Sequence, residues 1–229
     1  MGEMIEFAAN GGTARGYVAA PAAGTGPAIM VIQEWWGLAP QIKTVCDQLA
    51  EVGYVALAPD LYDGELAEHD EMDKASHLSS TLDMEQAAVE MSGAITALLD
   101  LEQTSSSTVG IVGYCMGGML SLVMAAKEGD RVAAVATFYG APVGEGGPDW
   151  SGLTAAVEGH FAETDDFFPP DQVKALETDL RGMGKNVTFT VYPGTGHAFT
   201  NEDDPLGTYN PELDRMTWGS MLALFEGAL

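Results

Sequence analysis

The segment "VGIVGYCMGG" (residues 109–118) decides the fold, because it reads as a buried strand that turns directly into a helix. Cys115 occupies the turn, in a G-x-C-x-G frame with Gly113 and Gly117. A nucleophile on such an elbow needs small neighbours, so that the strained turn and the helix can pack. The helix start beneath the sulfur would stabilise a thiolate. Free cysteine is also among the most buried residue types, so Cys115 is either a nucleophile or a small core residue.

Outward from this elbow, short apolar runs alternate with stretches of helical spacing. Strands are predicted at 28–33, 54–60, 108–114, 132–140, 154–161 and 186–194. Helices are predicted at 39–53, 84–100, 116–127, 171–184 and 213–229. Irregular insertions are predicted at 61–83 and 141–152. The alternation predicts one α/β domain over residues 1–229, with a largely parallel sheet and helices on both faces, and ligands bound beyond the carboxyl ends of the strands.

A histidine and candidate acids follow the elbow in the order that a catalytic triad on this fold requires. His197 lies in "YPGTGHAF" (192–199), a glycine-rich stretch after a predicted strand. An acid between the two could orient the imidazole, and the candidates in "ETDDFFPP" (163–170) are Glu163, Asp165 and Asp166. The residues alone do not separate Asp165 from Asp166. A solvated loop histidine is the simpler interpretation of His197.

Glu34 stands out in "VIQEWWGL" (31–38), where it ends a strand and precedes two tryptophans. A carboxyl group beside aromatic rings at a strand end can have a shifted pKa. The simpler interpretation is a rim glutamate paired with a cation. Backbone N–H groups near residues 35 and 116 could converge on one site, as an oxyanion hole requires.

The charge balance excludes several partners. Nine Lys and Arg stand against 34 Asp and Glu, a formal net charge of -25. Such a field repels nucleic acids and anionic membranes, so neither is expected as a partner. We hypothesise a high-salt source, although an ordinary acidic surface explains the same composition. The four histidines show no metal-ligand spacing, and no metal or cofactor is expected.

The two cysteines and the start of the sequence suggest a compartment. "MGEMIEFAAN" has no basic region followed by an apolar one, so we predict a cytoplasmic protein without a secretory signal. Cys46 and Cys115 are then expected as free thiols. Cys46 lies on the apolar side of the predicted helix 39–53 and is interpreted as a core residue. The oligomeric state is left open; a monomer is compatible with the sequence.

Taken together, five stretches resemble the dienelactone hydrolase family of the α/β-hydrolase fold. They run in the family order across nearly the whole chain: "VIQEWWGL", "LAEVGYVALAPDLYDG", "VGIVGYCMGG", "ETDDFFPP" and "YPGTGHAF". The resemblance implies a carboxylic ester hydrolase that acts on a small ester or lactone through a thioester acyl-enzyme.

The same resemblance implies roles for individual residues. Cys115 would be the nucleophile, His197 the base and Asp165 the acid, because the family's acid precedes a run like Asp166-Phe167-Phe168-Pro169. The glutamate equivalent to Glu34 meets the cysteine in the resting enzyme and helps to deprotonate it when substrate arrives. The oxyanion hole would consist of the backbone N–H groups of Met116 and Trp35. We also predict substrate contacts from Trp36, Tyr62, Lys74 and Phe199.

The sequence lacks the residues with which members of this family bind the carboxylate of dienelactone. Members that act on dienelactone hold its carboxylate with two arginines. The first belongs in "EMDKASHLSSTLDMEQ" (71–86), which offers only Lys74, and the second in "TNEDDPLG" (200–207), which is acidic. We therefore predict a neutral or differently anchored ester or lactone. The alternatives are a generalist carboxylesterase or thioesterase that does not act on dienelactone, and a non-catalytic small-molecule-binding homologue.

Overall fold

The computed structural model describes residues 1–22, 24–144 and 146–229. Its contacts group the chain into two units, Met1–Val109 and Gly110–Leu229. The prediction of one domain over residues 1–229 stays a prediction. In the described residues, no helix has both the length and the apolar character to cross a bilayer.

The described residues contain eight strands and six α-helices. The strands are β1 (Glu3–Ala9), β2 (Gly12–Ala19), β3 (Gly26–Ile32), β4 (Val55–Pro59), β5 (Thr104–Tyr114), β6 (Val132–Phe138), β7 (Ala156–Thr164) and β8 (Val187–Gly196). The helices are α1 (Pro40–Glu51), α2 (Met72–Thr81), α3 (Met84–Asp100), α4 (Met116–Glu128), α5 (Pro170–Gly182) and α6 (Pro211–Ala228). The strand order is β1-β2-β4-β3-β5-β6-β7-β8. This mostly parallel sheet with its helices confirms the predicted α/β class.

The Met1–Val109 unit begins with a hairpin that the sequence analysis missed. Strands β1 and β2 pair antiparallel, and β2 continues antiparallel onto β4. Asn10 and Gly11 form the turn, and both have a positive φ, 43° and 86°. Asn-Gly is the preferred pair for such a turn, so a signal was present in the sequence. Strand β1 is mostly exposed, and its weak apolar pattern explains why it was overlooked.

Helix α2 is a second correction, because residues 61–83 were predicted to be irregular. Only Ala75 and Leu78 of this helix are buried, and its serines and threonine give little helical periodicity. In the other predicted insertion, 141–152, the structure has a single 3-10 turn at Trp150–Gly152 among the described residues, and residue 145 lies outside them.

Helix α1 carries its apolar face as predicted. Ile42, Val45, Cys46 and Leu49 are buried along it. Cys46 is fully buried, and burial raises the pKa of its thiol, which confirms its interpretation as a core residue.

The Gly110–Leu229 unit contains the strands whose ends place the candidate site. Strands β6, β7 and β8 pair parallel, and the Cys115 N–H at the end of β5 donates to the Phe138 carbonyl at the end of β6 (2.9 Å). Helix α4 packs on β6, and α5 packs on β7 and β8. Since parallel strands end at one edge of a sheet, the loops after β5, β7 and β8 meet there.

Candidate active site

Cys115 lies on a strained elbow between β5 and α4. Its φ is 55° and its ψ is -119°, a conformation that a side chain other than glycine rarely adopts. Hydrogen bonds hold it there: its N–H donates to Phe138 and its carbonyl accepts from the N–H of Met119 (3.2 Å). Strain of this kind concentrates at functional sites. The elbow predicted from the sequence is therefore present.

Two glycines permit this turn by their lack of a side chain. A Cβ atom on Gly113 would lie 2.0 Å from the Gly117 carbonyl oxygen, inside any allowed contact. A Cβ atom on Gly140 would lie 1.9 Å from the carbonyl oxygen of Cys115. Backbone therefore packs against backbone on both sides of the elbow. This explains why position 113 must lack a side chain, as predicted from the sequence.

His197 immediately follows β8 and meets the end of β7. Its Nδ1 donates to Oδ2 of Asp165, at 2.8 Å, and both side chains are buried. The imidazole also hydrogen-bonds Cys115. The structure thus brings together three of the sequence-predicted residues, Cys115, His197 and Asp165, within one unit.

The structure separates Asp165 from the neighbouring acids, which the residues alone could not do. The Oδ1 atom of Asp165 accepts the backbone N–H groups of Phe167 (2.9 Å) and Phe168 (3.0 Å). These bonds leave Oδ2 to hold His197. Asp166 is exposed. Glu163 is also exposed and accepts the N–H of Gly194 instead.

The pKa of His197 is raised to about 10. Burial alone lowers it, but the hydrogen bonds to Asp165 and Cys115, and the electrostatic interactions with both groups, raise it by more. The imidazole is therefore protonated at neutral pH, beside a cysteine sulfur. Because the folded-state pKa exceeds the ordinary 6.5, protonation stabilises the fold; this contribution is complete below pH 6.5 and is lost as the pH rises through about 10.

Removal of the sulfur should lower this pKa. Two of the four contributions that raise it come from Cys115, so we expect the His197 pKa in Cys115→Ala to fall below about 10. An NMR titration of the histidine ring protons measures it. His160, whose pKa burial lowers to about 4, serves as an internal reference that should not move. An unchanged His197 pKa would mean that Asp165 alone sustains it.

Aromatic rings that the sequence analysis did not assign surround His197. The Tyr139 ring meets the imidazole edge-on at 5.1 Å, and its hydroxyl lies 3.1 Å from Thr200 Oγ1. Phe168 stacks on His197 at 5.9 Å, and Phe167, 49% exposed, lies 4.8 Å away. Phe167 thus gives the site an apolar surface in contact with solvent. The Phe-Phe pair, which begins two residues after Asp165, was the sequence signal for it.

The substrate contact predicted for Phe199 stays a prediction. Its ring is fully buried and packs against Tyr139 (5.5 Å) and Tyr192 (5.6 Å). These contacts support the loop that carries His197. His160 lies in β7, as expected, and its Nδ1 meets the Tyr192 hydroxyl at 2.9 Å.

The remaining predicted residues belong to the Met1–Val109 unit, apart from Met116, which opens α4. Glu34 is buried just after β3. Trp36 is buried between the rings of Trp35 (5.1 Å) and His69 (5.0 Å). Tyr62 is buried after β4.

Lys74 lies on α2, with its ammonium 3.6 Å from the Glu71 carboxylate. The described residues contain no cluster of three side chains suited to a metal ion.

Comparisons with known proteins identify the family. Residues 14–229 match the family model described as "Dienelactone hydrolase family". The chain is 35% identical over 232 residues to the protein named usf from Aquifex pyrophilus, covering 99% of this chain and 98% of that protein. It is 34% identical, with the same coverage, to an Aquifex aeolicus protein provisionally named carboxymethylenebutenolidase.

Solved structures show the same likeness. A crystal structure from Klebsiella pneumoniae, described provisionally as a dienelactone hydrolase, superposes with a TM-score of 0.84 at 27% identity, covering 99% of both chains. Dienelactone hydrolase from Anabaena variabilis superposes with a TM-score of 0.69 at 19% identity, covering 100% of this chain and 98% of that one, which shows likeness of fold alone.

Proposed function

The chain belongs to the dienelactone hydrolase family, and we propose that it hydrolyses a neutral ester or lactone with Cys115 as the nucleophile. One observation carries the proposal: Cys115, His197 and Asp165 form a buried, hydrogen-bonded row at the carboxyl ends of the strands. Nucleophile, base and orienting acid in this arrangement are the parts that acyl transfer requires.

In the first step, the Cys115 thiolate attacks the carbonyl carbon of the ester. The carbonyl oxygen becomes an oxyanion, held by the backbone N–H groups of Met116 and, by analogy with the family, Trp35. A good donor of this kind lowers the barrier by about 3 kcal/mol. The protonated His197 gives its proton to the leaving alkoxide or enolate, and a thioester with Cys115 remains.

The high pKa of His197 explains how it can serve both steps. The charged imidazolium is the acid that the first step needs. Once the sulfur is acylated it carries no charge, so the Cys115 contributions that raise the His197 pKa are lost. The neutral imidazole then removes a proton from water, which attacks the thioester and releases the carboxylic acid. Asp165 holds the ring in one orientation throughout.

Glu34 has a proposed role that rests on the family alone. It would contact Cys115 in the resting enzyme and help to deprotonate it when substrate arrives. Its burial just after β3 is compatible with such a role, because a buried carboxyl group interacts strongly with nearby charge.

Two cations of the Gly110–Leu229 unit are engaged away from the triad, which supports a substrate without a carboxylate. Arg181 donates to the carbonyl of Val187, the first residue of β8, and Lys185 to that of Leu153, just before β7. These cations lie at the amino ends of the strands, opposite the triad. Acidic Glu163 and Asp166 lie at the triad edge, beside the apolar Phe167. Neutral, apolar acyl groups suit this edge better than anions.

A direct comparison of substrates tests the proposed function. We expect hydrolysis of p-nitrophenyl acetate and of the neutral lactone dihydrocoumarin, with kcat/KM values at least as high as that for dienelactone. Activity on the aryl ester without activity on either lactone would instead indicate a generalist esterase. Dienelactone turnover orders of magnitude faster than that of the aryl ester would contradict the substrate class. A lack of turnover on all three would favour a non-catalytic homologue.

A further inference from the structure

A cavity in the Met1–Val109 unit collects two of the nine cationic side chains of this acidic protein. It has a volume of about 390 Å³ and lies among the β1–β2 hairpin, α1 and the loops after β3 and β4. We call it the hairpin cavity; the residues that matter here are Met4, Ile5, Arg15, Leu38, Lys43 and Leu66. Its size is within the range of small-molecule sites.

Arg15 is held in place at this cavity by a buried carboxylate. Its Nε and Nη2 donate to Oδ2 of Asp60, at 2.9 Å and 2.7 Å. The other Asp60 oxygen accepts the N–H of Tyr62. The Asp60 side chain is 3% exposed, whereas that of Arg15 is 43% exposed. Since a guanidinium has five N–H donors, Arg15 is fixed by two of them and keeps donors for a further anion.

Gly64 gives the guanidinium its space. A Cβ atom at this position would lie 1.9 Å from Nη2 of Arg15, and the φ of Gly64 is 88°. Any other residue would therefore push the Arg15 side chain from its present place.

Lys43 supplies the second charge. Its ammonium lies 5.8 Å from the centre of the Tyr17 ring, and among the described residues no ion pair holds it. The Tyr17 hydroxyl bonds Asp47, so the ring is itself anchored. Besides Asp60, one other acid lines the cavity: Glu6, which lies opposite Arg15 in the register of β1 and β2. Glu6 is exposed, so water and salt screen its charge.

Apolar side chains form the rest of the wall. Met4, Ile5, Leu38 and Leu66 line it, and Met4 is 45% exposed. Cations beside an apolar surface are what a small organic acid needs, because its carboxylate and its hydrocarbon body are then both accommodated. We propose that the hairpin cavity binds a small carboxylic acid with an apolar or aromatic body, its carboxylate held by Arg15 and Lys43. The proposal does not depend on the chemistry of Cys115.

Ligand-observed ¹⁹F NMR tests this with 4-(trifluoromethyl)phenylacetate as the probe and the matching neutral amide as its control. The full chain is used in about 0.15 M KCl, where screening limits the overall negative field to roughly 8 Å. We expect the acid to bind and the amide to bind at least about tenfold more weakly, the loss expected for a charge-assisted hydrogen bond. Equal binding of acid and amide, or no binding of the acid, would overturn the proposal.

Three variants locate the probe. Lys43→Met should weaken binding of the acid at least about tenfold, whereas Lys174→Met, which removes an exposed lysine on α5, should leave it unchanged. Cys115→Ala should also leave it unchanged, which separates the hairpin cavity from the proposed catalytic site. Undiminished binding by Lys43→Met, or equal losses in both lysine variants, would refute the assignment. Melting temperatures confirm that each variant is folded. Arg15 is not substituted, because its removal would leave the buried Asp60 carboxylate without its partner.

Discussion

Replacement of Cys115 by serine is expected to lower kcat/KM for p-nitrophenyl acetate by about 10³-fold or more. The hydroxyl fits the elbow, but a serine hydroxyl loses its proton much less readily than a thiol, so the variant lacks the strong nucleophile that the first step requires. The loss should appear in kcat, since the side chain changes little in size. Steady-state kinetics with matched melting temperatures measure it.

Cys46→Ser is the matched control for this change. It makes the same atomic substitution at the other cysteine, which is fully buried on α1 within the Met1–Val109 unit. We expect activity to remain within about twofold of wild type, with some loss of stability from the buried hydroxyl. Equal activity of the two variants would contradict the nucleophilic role of Cys115.

The second large effect is expected for Asp165→Asn, which should reduce kcat by about 10²- to 10⁴-fold. An asparagine can still accept the N–H groups of Phe167 and Phe168 through its oxygen. It then presents an NH₂ group to His197 Nδ1, so the ring can no longer donate there. The substitution thus removes the negative charge and the correct tautomer while it preserves the loop.

Asp166→Asn is the adjacent control, because Asp166 is exposed one residue away. Its kcat should stay near the wild-type value. The His197 pKa should fall in Asp165→Asn and stay near 10 in Asp166→Asn, which NMR titration can follow. If both variants lost activity equally, the assignment of the acid would be wrong.

The fold was largely predictable because its buried strands and helices carry strong apolar patterns. The helix predicted at 84–100 coincides with Met84–Asp100, whose first turn is capped by Asp83. The exposed strand β1 and the polar helix α2 lack such patterns. Their formation depends on tertiary contacts, such as the pairing of β1 with β2, which local periodicity does not encode.

The candidate site was predictable where chain order and strand ends define it. Cys115 and His197 follow from their places after β5 and β8. The sequence alone could not decide whether Asp165 or Asp166 binds His197, because both are aspartates in the same loop. Adjacent side chains point to different sides, and only the folded loop determines which one meets His197. The full burial of Phe199 could not be predicted either, because it depends on the packing of Tyr139 and Tyr192 around its ring. Tyr139 lies 58 residues before His197 and carried no motif.

The central claim is that Cys115 forms a thioester, and intact-protein mass after rapid acid quenching tests it most directly. Wild-type protein and Cys115→Ala are mixed with p-nitrophenyl acetate while release of p-nitrophenol is followed. We predict a burst of product and a mass increase of one acetyl group in the wild type alone, mapped by peptide digestion to Cys115. Turnover without an adduct on Cys115, or an equal adduct and burst in the variant, would contradict the account.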